Sequence, residues 1–117
     1  MTKVLNGDTS LIKALHSHAD DVTSFYGMGG YEKGWDAVSK RWDWAAANLF
    51  NGGTARYENL AEVINGDLAF MTGIERHILD NGEVQRSLRV THLFRRENGE
   101  WRLVHRHGSP LDRKAAS

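Results

Sequence analysis

The sequence predicts an α+β fold, with helices early in the chain packed on one face of a later antiparallel sheet. Three observations predict it. A helical stripe runs through Trp35, Val38, Trp42, Ala45 and Leu49, at i, i+3, i+7, i+10 and i+14. Four strand-like runs follow Thr54, separated by Asn65-Gly66, Asp80-Asn81-Gly82 and Asn98-Gly99. Asn-Gly between alternating runs is a strong hairpin signal. The only proline is Pro110, so no earlier element is interrupted by one.

Taken in order, Asp8 or Thr9 can cap a short helix over residues 10–17, with Leu11, Ile12 and Leu15 as its apolar side. Ala19-Asp20-Asp21 reads as a turn. Residues 22–26 are β-branched and aromatic, which suits a short strand. The glycine-rich segment 27–30 is a flexible loop, read as a pocket rim because it lacks the pattern of a phosphate loop. The second helix carries the tryptophan stripe and ends at Asn51-Gly52-Gly53, residues that tolerate positive φ. Strands are expected over 54–64, 67–79, 84–96 and 100–107.

Composition excludes several function classes. The chain has 117 residues, which fits one domain spanning 1–117. A chain of this size buries roughly two-thirds of its unfolded surface. It has no cysteine, so disulfides and thiolate chemistry are out. Fifteen basic residues balance fifteen acidic ones, which gives no electrostatic footprint for nucleic acid or an anionic membrane. No apolar run approaches the roughly 18 residues of a membrane span. The opening MTKVLNGDTS lacks the apolar stretch of a secretory signal, so a cytoplasmic protein is expected.

The last hairpin, 89–107, decides which side chains share a face. A two-residue Asn98-Gly99 turn sets Glu97 opposite Glu100. A three-residue loop from Glu97 to Gly99 sets Arg96 opposite Glu100, an opposite-charge pair, and is preferred on that ground. It pairs Thr91 with His105 and Arg89 with His107. One face then carries Arg89, Thr91, Leu93, Trp101, Leu103, His105 and His107, and is expected to meet the helices. The other face carries Leu88, Val90, His92, Phe94, Arg102, Val104 and Arg106. It is expected outside, with Val90, Phe94 and Val104 as the apolar part of a homodimer contact.

Several segments carry a family resemblance. They are Ala19-Asp20-Asp21-Val22-Thr23, the glycines of 27–30 with Gly34-Trp35, the run from Arg89 to Arg96, and the run from Trp101 to His107. Together the chain resembles SnoaL-like domains of the nuclear-transport-factor-two-like superfamily. The resemblance implies a cone-shaped, curved sheet with the helices on its concave face. The ending Trp101, Val104-His105, His107, Ser109 is also similar to the association domain of calmodulin-dependent kinases. The superfamily hosts isomerases, cyclases, dehydratases, epoxide hydrolases and binding or assembly modules, so the fold alone does not choose a function. Ketosteroid isomerase, a relative in this fold, uses an aspartate base with tyrosine and protonated-aspartate donors. By the resemblance its base falls near Tyr26 and its cavity aspartate near Thr91, neither a carboxylate, which argues against that mechanism. The kinase hub's cavity arginines fall near Thr91 and Glu75, and Arg89 lies two residues from the first.

The candidate site follows. His107 and His105 are the candidate proton shuttles, since histidine titrates near neutrality. They also read as strand residues bonded to Thr91, Glu75 or backbone. Arg89 would offer a fork suited to a carboxylate. Thr91, Tyr57, Tyr26, Glu75, Trp42 and Trp101 complete the expected pocket. Adjacent strand residues point to opposite faces, so only one of Glu75 and Arg76 enters it. His105, His107 and Glu75 lack metal-ligand spacing, so neither metal nor cofactor is expected. His16, His18 and His77 have no spacing argument and read as surface or structural. The expected function is a small-molecule-binding cone, with a carboxylate as the ligand an arginine suits. The alternatives are an isomerase, cyclase or dehydratase using histidine acid–base chemistry, and a homo-oligomeric assembly module.

Overall fold

The computed structural model describes residues 1–111. Two short helices open it, α1 (Thr2–Leu5) and α2 (Ser10–Leu15). Asp8 anchors the start of α2: its carboxylate accepts from the Ser10 amide at 2.9 Å and from the Ser10 hydroxyl at 2.7 Å. Strands β1 (Thr23–Tyr26) and β2 (Tyr31–Lys33) flank the glycine-rich loop, and α3 (Trp35–Asn48) follows. Four long strands complete the chain: β3 (Thr54–Asn65), β4 (Leu68–Ile78), β5 (Val84–Glu97) and β6 (Glu100–Pro110). Neither α1 nor β2 is long enough to display a helical or strand period, and neither is foreseen by periodicity.

The strands form one six-stranded sheet in the order β2-β1-β6-β5-β4-β3. The pairs are antiparallel except β1 with β6, which run parallel because α3 and the β3–β5 meander lie between them in sequence. The curved sheet and its helices make a cone-shaped α+β fold. The stripe on α3 does what its spacing predicts. Val38, Trp42 and Ala45 are buried, and Val4, Val22, Val38 and Trp42 form one apolar cluster under the concave face. Met1, Ile12, Trp35 and Phe50 pack around it.

The register of the last hairpin differs from the expectation. The turn is the two-residue one, with Glu97 opposite Glu100, Asn98 at φ 52° and Gly99 at φ 79°. Two left-handed residues in succession give a primed turn, whose twist matches the flanking strands. The two glutamates do not repel each other unrelieved. Glu97 accepts from Arg95 at 2.8 Å and from Ser17 at 2.8 Å, and Glu100 pairs with Arg102. A β-bulge follows between Leu93 and Phe94, where β6 contains one extra residue, Val104. Beyond it Leu93 faces His105, His92 faces Arg106, Thr91 faces His107 and Arg89 faces Ser109.

The turn and the bulge together reverse the expected sidedness. Arg89, Thr91, Leu93, His105 and His107 do share a face, but it is the convex one, turned away from α3. Arg106 takes the concave side, its guanidinium 5.6 Å from the Trp42 ring. Leu88, Val90 and His92 share that side with it. Val90 is therefore core, 2% exposed, and not an outer contact. Phe94 is not one either, since its ring meets His92 on the concave side. Trp101 and Leu103 part from the histidines and lie with Arg96 and Phe94.

Candidate functional site

A cavity of about 580 Å³ opens between α3 and the concave face of the sheet. Its apolar wall comes from Trp42, Ala45, Leu49 and Phe50 of α3 and the residues after it, with Val84, Leu88 and Pro110 from the strands. Three guanidinium groups line it, from Arg41, Arg86 and Arg106, along with Ser24, Tyr26 and His77. None of its lining side chains is a carboxylate. Arg41 lies over the Tyr26 ring at 4.4 Å and Arg86 over the Phe50 ring at 5.3 Å. Among the described residues neither has a carboxylate partner. Burial pushes the Arg86 guanidinium below its ordinary value, and burial pushes the Tyr26 hydroxyl up.

Below the cavity lies a connected polar cluster. Arg106 donates through Nη2 to Glu75 Oε2 at 2.9 Å and through Nη1 to Oε1 at 3.2 Å. His77 Nε2–H donates to Glu75 Oε2 at 2.7 Å. Arg106 Nη1 also donates to His92 Nε2 at 2.8 Å. Burial works against ionisation of Glu75. The Arg106 charge and the bonds from His77 and Arg106 outweigh it and hold the carboxyl well below the usual carboxylate range. Burial and the Arg106 charge push His92 down to about 4, so it is neutral and accepts. A second buried imidazole, His16, receives the Trp42 indole N–H at 3.4 Å and donates to the Ile12 carbonyl at 2.7 Å. Burial lowers it too.

Residues 4–113 match the model of the SnoaL-like domain. The chain belongs to the SnoaL-like family. No curated protein matches its sequence. Among solved structures, this SnoaL-like domain is similar to a candidate calcium/calmodulin-dependent protein kinase type II association domain from Thiobacillus denitrificans. The identity is 22%, over 90% of this chain and 83% of that one, with a TM-score of 0.81. An NTF2-like protein of unknown function from Pseudomonas putida is 24% identical, over 99% of this chain and 83% of that one, with a TM-score of 0.74. A candidate ketosteroid isomerase from Parabacteroides distasonis is 15% identical, over 96% and 84%, with a TM-score of 0.72. At these identities the likeness establishes the nuclear-transport-factor-two-like fold and nothing finer.

Within this SnoaL-like domain the expected site residues divide. Tyr26 and Trp42 line the cavity, and Glu75 lies beneath it holding Arg106. Arg76 points the other way and pairs with Glu58 at 3.0 Å. Tyr57 lies on the concave side, its ring 6.2 Å from His92. It covers Gly73, where a Cβ would come within 2.4 Å of its Cζ. Tyr57 and Trp101 are not among the cavity's lining residues, and Trp101 instead lies under Arg96 at 4.4 Å. Arg89, Thr91 and His107 border a shallow hollow on the convex face, with Ile74 and Leu60. His105 lies beside them, hydrogen-bonded with Thr23 at 2.7 Å and packed against Phe25. None of the four reaches the cavity, because each falls on the other side of the pleat.

The residues that replace them were not foreseen. Arg106 and His92, expected on the outer face, lie on the concave side instead. His77 was read as surface or structural, yet it is 1% exposed and lines the cavity. One signal did exist. Glu75 and His77 are i and i+2 on one strand, so they share a face and can bond.

Proposed function

We propose that this protein binds a small organic anion, a carboxylate with an apolar body, in the cavity between α3 and the sheet. The observation that carries the reading is the lining: two guanidinium groups without a carboxylate partner, a third held from beneath by Glu75, and a mostly apolar wall. Arg41 and Arg86 rest on aromatic rings and keep their forks unpaired among the described residues. A guanidinium meets a carboxylate through two parallel hydrogen bonds, and partial burial strengthens that contact. Apolar walls with a few convergent polar groups are the usual make-up of a small-molecule site.

A thermal-shift panel of aliphatic and aromatic carboxylates tests it. At least one acid is expected to raise the melting temperature. Arg86→Met is expected to abolish that rise, while Arg89→Ala on the convex face leaves it intact. No stabilisation by any acid, or a rise insensitive to Arg86 and Arg41, refutes the reading.

A second reading concerns assembly and rests on a separate observation. The convex face exposes Phe25, Val63, Phe70 and Leu93 at 37% to 48%. Val63, Phe70 and Leu93 lie side by side on β3, β4 and β5. A row of large apolar side chains across a sheet fits burial against a second copy of the chain. We place the homodimer contact there, in place of the outer face expected from Val90, Phe94 and Val104.

A further inference from the structure

We propose that His77 is a proton acceptor built into the cavity wall, with Glu75 and Arg106 as its positioning residues. The proposal rests on the reading that the cavity takes small carboxylates, and it adds chemistry to that reading. Glu75 is bound by both terminal nitrogens of Arg106 and receives the His77 Nε2–H at 2.7 Å. An ionised carboxylate accepts and cannot donate. It therefore fixes the imidazole tautomer, with the proton on Nε2 and a lone pair on Nδ1. That Nδ1 is buried and has no hydrogen-bond partner among the described residues. Buried polar atoms in folded proteins nearly always have a partner. An unsatisfied one on a cavity-lining residue marks a place that a ligand or a reacting group completes.

The arrangement divides labour as carboxylate–histidine pairs do in hydrolytic enzymes. One ring nitrogen is held by the carboxylate, and the other is left for the proton in transit. Two cations adjoin it. Arg106 shares Glu75 with His77, and Arg86 stands directly opposite His77 on the neighbouring strand. An anion drawn to Arg86, whose fork is unpaired among the described residues while Arg106 is held by Glu75, brings its neighbouring C–H bond to the imidazole. The Phe50 ring, edge-on to His77 at 5.5 Å, is the group that an arriving ligand displaces.

The fitting substrate class is an oxo acid with a hydrogen on the carbon beside its ketone. His77 Nδ1 takes that proton, the C–H electron pair becomes the enolate, and a guanidinium faces the enolate oxygen. Return of a proton from Nδ1–H to the same carbon restores the oxo acid. No co-reactant is consumed, and in deuterated water the carbon acquires deuterium.

Two measurements test the proposal on the full chain. The first is alkylation by bromoacetate against the neutral bromoacetamide, read by peptide mass mapping. An N–C bond forms at Nδ1, the C–Br bond breaks and bromide leaves. The sequence has no cysteine to compete. His77 is expected to react about tenfold or more faster with the anionic reagent, as positioning by the arginines implies, while exposed His18 shows no preference. Glu75→Gln is expected to diminish labelling of His77, and Glu75→Asp to restore part of it. The second is deuterium uptake into 2-oxobutanoate or 4-oxopentanoate, whichever binds, expected in the wild type and lost in His77→Gln. The proposal is overturned if His77 stays unlabelled or shows no preference while carboxylates still raise the melting temperature. It is equally overturned if a bound oxo acid exchanges no faster with the wild type than with His77→Gln. If no carboxylate binds either, the cavity reading falls with it.

Discussion

Glu75 holds together the polar cluster beneath the cavity. Its side chain is 5% exposed and that of Arg106 is 11% exposed, so neither charge has water to fall back on. Glu75→Leu leaves a buried guanidinium whose remaining polar contact is neutral His92. The expected cost is about 3 to 5 kcal/mol, read from urea midpoints. The double change Glu75→Leu with Arg106→Met removes both charges and is expected to recover most of that loss. His92 adds a pH dependence with a definite sign. Its folded value is about 4, against roughly 6.5 in an unfolded chain. Below 6.5 the unfolded chain takes a proton that the folded one refuses, so stability falls as pH drops from about 6.5 toward 4. At most roughly 3 kcal/mol is involved. Glu75 continues the fall in more acid solution, where its unfolded carboxyl protonates first. Urea midpoints between pH 7 and 4.5 check the window, and His92→Gln is expected to make the fall shallower, leaving the part that buried His16 contributes in the same direction. Little of this cluster was legible in the sequence. His77 and His92 have no motif spacing, and they gain meaning only from Arg106, which the sheet brings from β6 to Glu75 on β4 and His92 on β5.

At the scale of elements, the sequence announced what has a period and concealed what adds a single residue. The α3 stripe and the four long strands declare themselves through repeated apolar positions, and Asn-Gly pairs mark all three hairpins between those strands. The Glu97–Glu100 pair misled because a cross-strand rule was applied to two residues alone. Arg95, Ser17 and Arg102 neutralise the pair from outside it. The Val104 bulge has no compositional mark, yet it moved Arg106 inside. The turn itself is testable. Asn98 holds φ 52°, so Asn98→Ala is expected to cost about 1 kcal/mol and Asn98→Gly close to nothing, in chemical denaturation. Gly73→Ala is expected to cost more than Asn98→Ala. Its Cβ would meet the Glu58 carbonyl and the Tyr57 ring at 2.4 Å, and backbone cannot swing aside as a side-chain tip can.

Across the whole molecule, one sheet serves two unlike surroundings, and the pleat keeps them apart. The concave face concentrates charge under a helix. The convex face presents Val63, Phe70 and Leu93 in a row that continues to His105 and Thr23. The residues first expected in the pocket, Arg89, Thr91, His105 and His107, thus lie among apolar neighbours that a second chain would cover. Covering them would remove their water, and any contact that one of them makes across the two-fold axis would be repeated by its copy. The proposed dimer and the proposed ligand site should therefore respond to different substitutions. Leu93→Lys places a charge in the middle of the convex row, 40% exposed in the single chain, where burying it unpaired is costly. Light scattering is expected to give twice the chain mass for the wild type and the chain mass for Leu93→Lys. The carboxylate-induced rise in melting temperature should survive in the monomeric variant, because Leu93 is not among the residues that line the cavity. A wild type that stays monomeric at high concentration would remove the dimer. A ligand response lost along with the dimer would mean that the two faces communicate through the sheet, against the separation that the pleat provides.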